Sequence, residues 1–193
     1  EANDTNIRLI RRYWDIKKQP KKRIILARTN AYHGSTIAAA SLGGFEFVHN
    51  QFETLPYAQH IADPNWYNNG GDLSPEEFGL YAARELEKRI DQLGEENVAA
   101  FIAEPIQGAG GVIVPPDSYW PEVRRILNER DILFISDEVI CGFGRTGSMF
   151  GCETYDMKRD LLTFAKAVTN GFQPLGGVMV SDKVADVITN DGG

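Results

Sequence analysis

The chain has 193 residues, a length that suits one domain with a sizeable hydrophobic core. Its hydrophobic fraction of 42% and its charged fraction of 24% are typical of globular proteins, which excludes the disordered and fibrous classes. The net charge of −7 argues against a nucleic-acid partner, and the apolar runs are too short to cross a membrane, so we expect neither partner.

The chain opens on a predicted helix, in which apolar residues recur at helical spacing over residues 7–14 until Pro20 ends it. Residues 17–23 are basic and predict a solvent-exposed connector. Residues 23–28 predict a short aliphatic strand, and residues 38–42 belong to a predicted helix.

Residues 56–72 are rich in Pro, Asn, Gly and aromatic residues without any period, so they predict a long irregular loop. A helix begins after Ser74, the predicted N-cap, with Pro75 at its first position, and runs to about residue 93. Its predicted apolar face consists of Leu80, Ala83, Leu86 and Ile90.

A regular alternation of strands and helices follows. Apolar strands are predicted at residues 98–103, 132–136, 161–165 and 177–180, with a helix at residues 119–130. Strands that are apolar throughout and alternate with helices are typical of a mostly parallel sheet covered on both faces. The expected fold is therefore α/β, a three-layer α/β/α sandwich.

Polar residues directly follow three of these strands: Glu104, then Asp137 with Glu138, and then Lys166. Ligands of parallel sheets bind beyond the carboxyl ends of the strands, where a buried charge needs a compensating partner. A lysine amine and a carboxylate in one crevice suit pyridoxal phosphate, because the amine condenses with its aldehyde and the carboxylate keeps its ring nitrogen protonated. Position alone leaves other roles open, a helix N-cap or ion pair for Asp137 and a solvated strand end for Lys166.

Longer motifs narrow these alternatives. They are NAYHGST at 30–36, AFIAEPIQGAGGVIVPP at 100–116, SDEVICGFGRTGSMFG at 136–151 and FAKAVTNGFQPLGGVMVSD at 164–182. In this order they resemble the class III aminotransferases, and the opening EANDTNIR resembles the continuation of the SGSEAN element of that family. The resemblance covers essentially the whole chain and is greatest to the ω-amino acid and diamine:pyruvate aminotransferases, which include β-alanine– and putrescine–pyruvate enzymes.

The resemblance implies a fold type I enzyme with pyridoxal 5'-phosphate as its cofactor, and it implies a role for each site residue. Lys166 would bind the cofactor covalently and act as the general acid and base of the proton shift. Asp137 would pair with the ring nitrogen, while Tyr32 and Val139 would cover the two faces of the ring. Glu104 would hold other site residues in position without touching the reacting atoms. His33 shapes the turn beside Tyr32, and we expect no catalytic role for it.

Two departures from related branches concern the substrate pocket. Ala109 stands where the ornithine and 4-aminobutyrate branches carry a glutamate, and Ile140 stands where they carry a glutamine. Both changes remove polar groups, which favours an amine-tolerant pocket and pyruvate as the acceptor, and weakens the case for an ornithine or 4-aminobutyrate enzyme. We expect no metal ion.

Residues 1–193 are expected to form part of a cofactor-binding large domain, because Glu1 begins within a helix and residues 191–193 end the chain on a turn-like sequence. The glycine–serine pair that grips the cofactor phosphate would precede Glu1. A threonine from the neighbouring subunit and a substrate-binding arginine would complete the site, so the resemblance implies a homodimer or a dimer of dimers. Two cysteines, Cys141 and Cys152, are too few for a disulfide framework and favour the cytoplasm.

Three other interpretations remain open at this point. The same fold and lysine serve aminomutases and decarboxylases. A fragment without the phosphate-binding residues would be an inactive scaffold. A nucleoside triphosphatase is suggested by the acidic strand end at 132–138 and the glycines at 142–147, but the GK[ST] of a phosphate loop is missing.

Overall fold

The computed structural model describes residues 1–190; the turn expected at residues 191–193 lies outside them. The strands are β1 (Ile24–Arg28), β2 (Ala58–Ile61), β3 (Val98–Ala103), β4 (Leu133–Asp137), β5 (Leu161–Phe164) and β6 (Gly177–Val180). They form one six-stranded sheet in the order β2-β1-β3-β4-β5-β6. All neighbouring pairs are parallel except β5 and β6, which are antiparallel. The sheet is therefore mostly parallel, as the sequence predicts.

The helices are α1 (Ala2–Ile16), α2 (Ile37–Leu42), α3 (Glu46–His49), α4 (Trp66–Asn69), α5 (Pro75–Leu93), α6 (Tyr119–Glu129), α7 (Gly151–Thr154) and α8 (Asp182–Asn190). Helix α5 begins as its sequence predicts. The Ser74 side chain accepts a hydrogen bond from the backbone N–H of Glu77, and the Glu77 side chain accepts one from the backbone of Ser74, which completes a capping box.

Two separate hydrophobic cores lie on the two faces of the sheet. One core packs α5 and α6 against the sheet through residues such as Leu86 and Trp120. The other packs α1, α2 and α8 against the opposite face, with Ile10, Trp14 and Val184 among its buried residues. Because successive side chains of a strand point to opposite faces, each central strand contributes to both cores. This arrangement confirms the predicted three-layer α/β/α sandwich.

The predicted irregular loop at residues 56–72 is wrong in part, because it contains the edge strand β2 and the short helix α4. Strand β2 has only four residues and pairs on one side alone, with β1, so its short run between prolines carries no visible period. On α5, Leu80 is only partly buried, and Phe78 and Ala82 lie in the core instead.

The basic stretch at residues 17–23 is not wholly exposed as predicted. Lys22 is buried, and its Nζ donates to the backbone oxygens of Val98, at 3.3 Å, and Asp131, at 3.0 Å. The ammonium group also lies over the ring of Trp14. Burial lowers the pKa of Lys22, so this lysine belongs to the packing between α1 and the sheet. Within residues 1–190, no helix combines the length and apolar character needed to span a membrane.

Candidate active site

The carboxyl ends of β3, β4 and β5 lie side by side and bring together the polar residues that the sequence singles out. Strand β4 ends at Asp137, which pairs in register with Thr163 of β5. Lys166 follows β5 after one residue, Ala165, and Glu104 directly follows β3. Neighbouring parallel strands thus deliver a carboxylate and an amine to one edge of the sheet, where ligands of such sheets bind.

Asp137 is buried, with only 2% of its surface exposed, and its two carboxylate oxygens have different surroundings. Oδ2 accepts hydrogen bonds from Asn3 Nδ2, at 3.0 Å, and from His33 Nδ1, at 2.8 Å. Oδ1 accepts one, from the backbone N–H of Val139 at 3.2 Å. A carboxylate oxygen can accept two hydrogen bonds, so Oδ1 keeps capacity for a further donor.

Behind Asp137, buried polar side chains connect α1 to the sheet. Asn3 Oδ1 accepts from the hydroxyl of Thr163 at 2.6 Å and from Asn6 Nδ2 at 3.2 Å. Asn6 Nδ2 also donates to the Thr163 hydroxyl at 2.7 Å. Because these hydrogen bonds are buried away from water, they fix the position of α1 relative to β4 and β5, although Asn6 Oδ1 has no partner among residues 1–190.

A cleft of about 250 Å³ opens beside this network. It is lined by Glu1, Ala2, Asn3, His33, Val139, Thr163, Phe164, Ala165, Leu175 and Gly176. Three of these residues are hydrogen-bond partners of Asp137, which therefore lies directly behind the wall of the cleft. His33 Nε2 is buried and has no hydrogen-bond partner within the described part of the chain.

Lys166 is not among the residues that line the cleft, but it is next in sequence to one of them. It is exposed, and it begins a short 3-10 turn directly after Ala165, which lines the cleft. Its φ of 44° lies in the left-handed region, which residues with a side chain adopt only at an energetic cost. The backbone at Lys166 is therefore held in a specific conformation at the point where the strand ends.

A second group of predicted site residues is organised by Glu104. Its Oε1 accepts from the backbone N–H of Tyr32 at 3.2 Å, and its Oε2 accepts from the backbone N–H of Gly108 at 2.8 Å. The buried carboxylate thereby ties the turn at Tyr32 to the loop that carries Ala109. The Tyr32 ring is 41% exposed, and its hydroxyl lies 2.9 Å from Ser35 Oγ.

The two predicted pocket residues, Ala109 and Ile140, lie on adjoining loops. A Cβ built on Gly108 would lie 2.3 Å from Ile140 Cδ1, so the Ile140 side chain packs directly on the backbone beside Ala109. Ala109 itself is exposed and Ile140 is partly buried. The Nε of Arg145 donates to the backbone oxygen of Ile140 at 2.9 Å, which gives this arginine a local structural contact.

Glu138 and the two cysteines are structural in this arrangement. The buried Glu138 accepts from the Ser136 hydroxyl and from the backbone N–H groups of Gly151 and Cys152, at the start of α7. Burial raises the pKa of Cys141 to about 11 and that of Cys152 to about 12. Both thiols are therefore neutral at physiological pH, and neither is a candidate nucleophile.

A larger cavity of about 410 Å³ lies elsewhere, between α4 and the loop at 111–116. Trp66, Tyr67 and Val112 are among the residues that line it, and the lining includes no Asp, Glu, Lys, Arg, His or Cys. Imine formation and proton transfer need titratable groups, so the smaller cleft is the better candidate. Within residues 1–190, no cluster of His, Cys, Asp and Glu side chains is arranged to hold a metal ion.

Asn3, Asn6, Thr163 and the contact from His33 to Asp137 do not appear among the residues that the sequence singles out. The sequence did contain a signal for the burial of two of them, Asn3 and Asn6. Asn3 and Asn6 lie on the same face of α1 as the buried Ile7 and Ile10, and a polar residue on an apolar helix face needs a buried partner. The identity of that partner is visible only in the folded chain.

Comparison with known proteins agrees with this geometry. The family model for Aminotransferase class-III matches residues 1–193. The chain is 58% identical over 194 residues to putrescine–pyruvate aminotransferase of Pseudomonas aeruginosa, and the match covers 100% of this chain and 42% of that protein. It is 49% identical over 190 residues to gamma aminobutyrate transaminase 3, chloroplastic, of Solanum lycopersicum, covering 97% of this chain and 36% of that protein.

Solved structures show the same similarity. The omega transaminase from Pseudomonas jessenii in complex with PMP matches with a TM-score of 0.96 at 39% identity, covering 100% of this chain and 43% of that chain. The chain therefore spans less than half the length of each of these relatives.

Proposed function

The chain belongs to the class III aminotransferase family, and on that basis we propose that the protein that contains it transfers an amino group from an ω-amino acid, a diamine or another amine to pyruvate. Residues 1–193 would form part of its large domain and would bind pyridoxal 5'-phosphate. The name of the Pseudomonas aeruginosa relative, a putrescine–pyruvate aminotransferase, supports this pair of substrates.

The proposal depends above all on Asp137, a buried carboxylate with one oxygen held by two donors and the other open to a further donor. A protonated pyridine nitrogen is such a donor. When bound, pyridoxal phosphate supplies a ring that withdraws electrons from the reacting carbon, provided that its nitrogen stays protonated. Asp137 therefore has the charge, the burial and the free hydrogen-bonding capacity to hold that proton in place.

The residues present fit the cofactor in other respects as well. The cleft of about 250 Å³ lies between Val139 and the start of α1, and its wall includes His33, whose buried Nε2 has no partner among residues 1–190. A flat ring in this cleft would contact Val139 on one face, and we assign Tyr32 to the other. Glu104 holds the backbone of Tyr32 in position, which orders that side of the site.

Lys166 is assigned the two remaining tasks. Its Nζ would bind the cofactor covalently and, once the substrate amine has displaced it, would carry a proton from the amine-bearing carbon of the substrate to the cofactor. An amine at a strand end is suited to both tasks because it is a nucleophile when neutral and an acid when protonated. The strained backbone at Lys166 supports this assignment, since such conformations cluster at functional sites.

The substrate preference rests on Ala109 and Ile140. Both are apolar, and Ile140 packs on Gly108 beside Ala109, so this part of the site offers no carboxylate. An arginine that binds the second carboxylate of a substrate such as 2-oxoglutarate would have no acidic partner here to neutralise it when that carboxylate is absent. Pyruvate has a single carboxylate and does not need this arginine, so it suits the site better. The name of the tomato relative keeps 4-aminobutyrate among the donors to be tested.

Paired-substrate kinetics of the full-length protein test the proposal. Putrescine, β-alanine, 4-aminobutyrate and an arylalkyl amine are each combined with pyruvate and with 2-oxoglutarate. We expect kcat/KM to be at least about tenfold higher with pyruvate, which requires only ~1.4 kcal/mol of differential transition-state binding. Equal or higher values with 2-oxoglutarate would refute the interpretation of Ala109 and Ile140. Release of CO₂, or an isomerised amine without an acceptor, would indicate a decarboxylase or an aminomutase.

A cytoplasmic homodimer, or a dimer of dimers, completes the proposal. Leu175, which lines the cleft, is 53% exposed, and Phe172, three residues earlier, is 89% exposed; exposed apolar surfaces of this kind are commonly covered by another subunit. The free, buried Cys141 and Cys152 suit a reducing compartment. Light scattering of the full-length protein tests the oligomeric state, since a monomer at micromolar concentration would contradict it, and cell fractionation tests the compartment.

A further inference from the structure

The amide of Asn3 uses its full hydrogen-bonding capacity. Its Nδ2 donates to Asp137 Oδ2 at 3.0 Å and to the backbone oxygen of His33 at 2.7 Å. Its Oδ1 accepts from Thr163 Oγ1 at 2.6 Å and from Asn6 Nδ2 at 3.2 Å. A side-chain amide has two N–H donors and two lone pairs, so every one of these positions is occupied.

Only one orientation of this amide satisfies its neighbours. If it were flipped, its oxygen would face two acceptors, Asp137 Oδ2 and the backbone oxygen of His33, and its nitrogen would face the Asn6 amide nitrogen. The residue is 3% exposed, so water cannot relieve such contacts. The donor is therefore always turned toward Asp137.

His33 provides the second donor to the same carboxylate oxygen. A carboxylate oxygen only accepts, so the His33 nitrogen at 2.8 Å, Nδ1, carries the hydrogen of that bond. With both donors on Oδ2, the carboxylate cannot rotate without losing two buried hydrogen bonds. Oδ1 is thereby fixed as the oxygen with capacity for a ligand.

We propose that Asn3 is a positioning residue, which together with His33 fixes the orientation of the Asp137 carboxylate and so sets the protonation of the cofactor ring nitrogen. The inference rests on the proposed function, because it assigns Asn3 a role through Asp137. It goes further because it makes the protonation of the ring nitrogen depend on a residue in the first turn of α1. In this role Asn3 acts through Asp137.

The test uses an isosteric change with a matched control in the full-length protein. Asn3→Asp replaces the donor by a second carboxylate beside Asp137, and two carboxylates this close share a proton. Ile10→Val is the control for packing, because Ile10 is buried between α1 and the sheet and its side chain makes no hydrogen bond to Asn3 or Asp137. Asn3→Ala removes the donor without adding charge, and serves if Asn3→Asp does not fold.

Two readouts are independent of turnover. The ¹⁵N NMR signal of ring-labelled pyridoxal phosphate reports whether the nitrogen is protonated, and fluorescence titration gives the cofactor Kd. We expect Asn3→Asp to shift the signal toward the unprotonated position, while the cofactor Kd stays close to the wild-type value because the bond that we assign to Lys166 is unaffected. Asn3→Ala should shift the signal in the same direction, while Ile10→Val should lower the melting temperature but keep the wild-type signal.

A wild-type signal in Asn3→Asp, or in Asn3→Ala if the first variant does not fold, would overturn the inference. Equal shifts in Asn3→Asp and Ile10→Val would also overturn it, because they would show a general packing effect of α1. If the wild-type protein binds no pyridoxal phosphate, the proposed function itself fails. The two failures are therefore distinguishable.

Discussion

Replacing Asp137 by asparagine is expected to slow transamination severely, because it reverses the hydrogen-bonding character of the free carboxylate oxygen. Asn3 Nδ2 and His33 Nδ1 both donate to Oδ2, so the amide oxygen of the variant takes that position. The amide nitrogen then takes the position of Oδ1, 3.2 Å from the backbone nitrogen of Val139. A ring N–H meets a donor there instead of an acceptor.

The size of the effect follows from the interaction that is lost. A hydrogen bond to a charged group contributes about 1.5–3 kcal/mol. When it is made in the transition state, its loss lowers the rate by about 10- to 150-fold, at 1.36 kcal/mol for each factor of ten. Cofactor binding should remain largely intact, because the bond that we assign to Lys166 is unaffected.

Single-turnover absorbance measurements on the full-length holoenzyme with a saturating amine check this prediction. Asp160→Asn is the matched control. Asp160 directly precedes β5, at the amino ends of the strands and so away from the cleft, and it accepts a hydrogen bond from the backbone N–H of Phe134 at 2.8 Å. That variant should keep the wild-type rate. A wild-type rate in Asp137→Asn, or an equal loss in both variants, would remove Asp137 from the mechanism.

Three further predictions concern other parts of the chain. Borohydride reduction of the holoenzyme followed by peptide mapping should place the label on Lys166, and a label on any other lysine would contradict the assignment. Val112 is a β-branched residue with a φ of 55°, and it is 68% exposed. Val112→Asn should raise the free energy of unfolding by about 1 kcal/mol in chemical denaturation, because asparagine tolerates that backbone conformation. Val114→Asn, also at an exposed position, should give no such gain, and equal gains would refute a backbone origin. Cys141 and Cys152, with pKa values raised by burial to about 11 and about 12, should resist alkylation in the native protein up to pH 9 and react after unfolding. Rapid native labelling at pH 8 would show that one of these thiols is accessible.

Local signals in the sequence are sufficient for the elements that depend on local chemistry. The start of α5 follows from Ser74, Pro75 and Glu77, because an N-cap, a proline and a capping box act within one helical turn. Strand β3 follows from an unbroken apolar run, since every one of its residues is buried. Strand β2 does not follow, because its four residues are held as a strand by pairing with β1.

The direction of β6 also depends on the fold. Its sequence predicts a strand, yet only its pairing with β5 shows that it is antiparallel. The burial of Lys22 is a similar case, since its two carbonyl partners, of Val98 and Asp131, are remote in sequence. Charge and composition predict exposure for such a residue, and tertiary contacts override them.

The candidate site divides in the same way. The sequence by itself determined the fold class, and it singled out Asp137 and Lys166, because the residue after an apolar strand of a parallel sheet reaches the ligand-binding edge. Only the tertiary structure brought Asn3 to Asp137, across 134 positions of the chain, and His33 across 104. The contact of Asn3 arises because α1 packs on the sheet and buries its polar side chains, and that of His33 arises from the segment between β1 and α2; no local pattern encodes which partner either side chain meets.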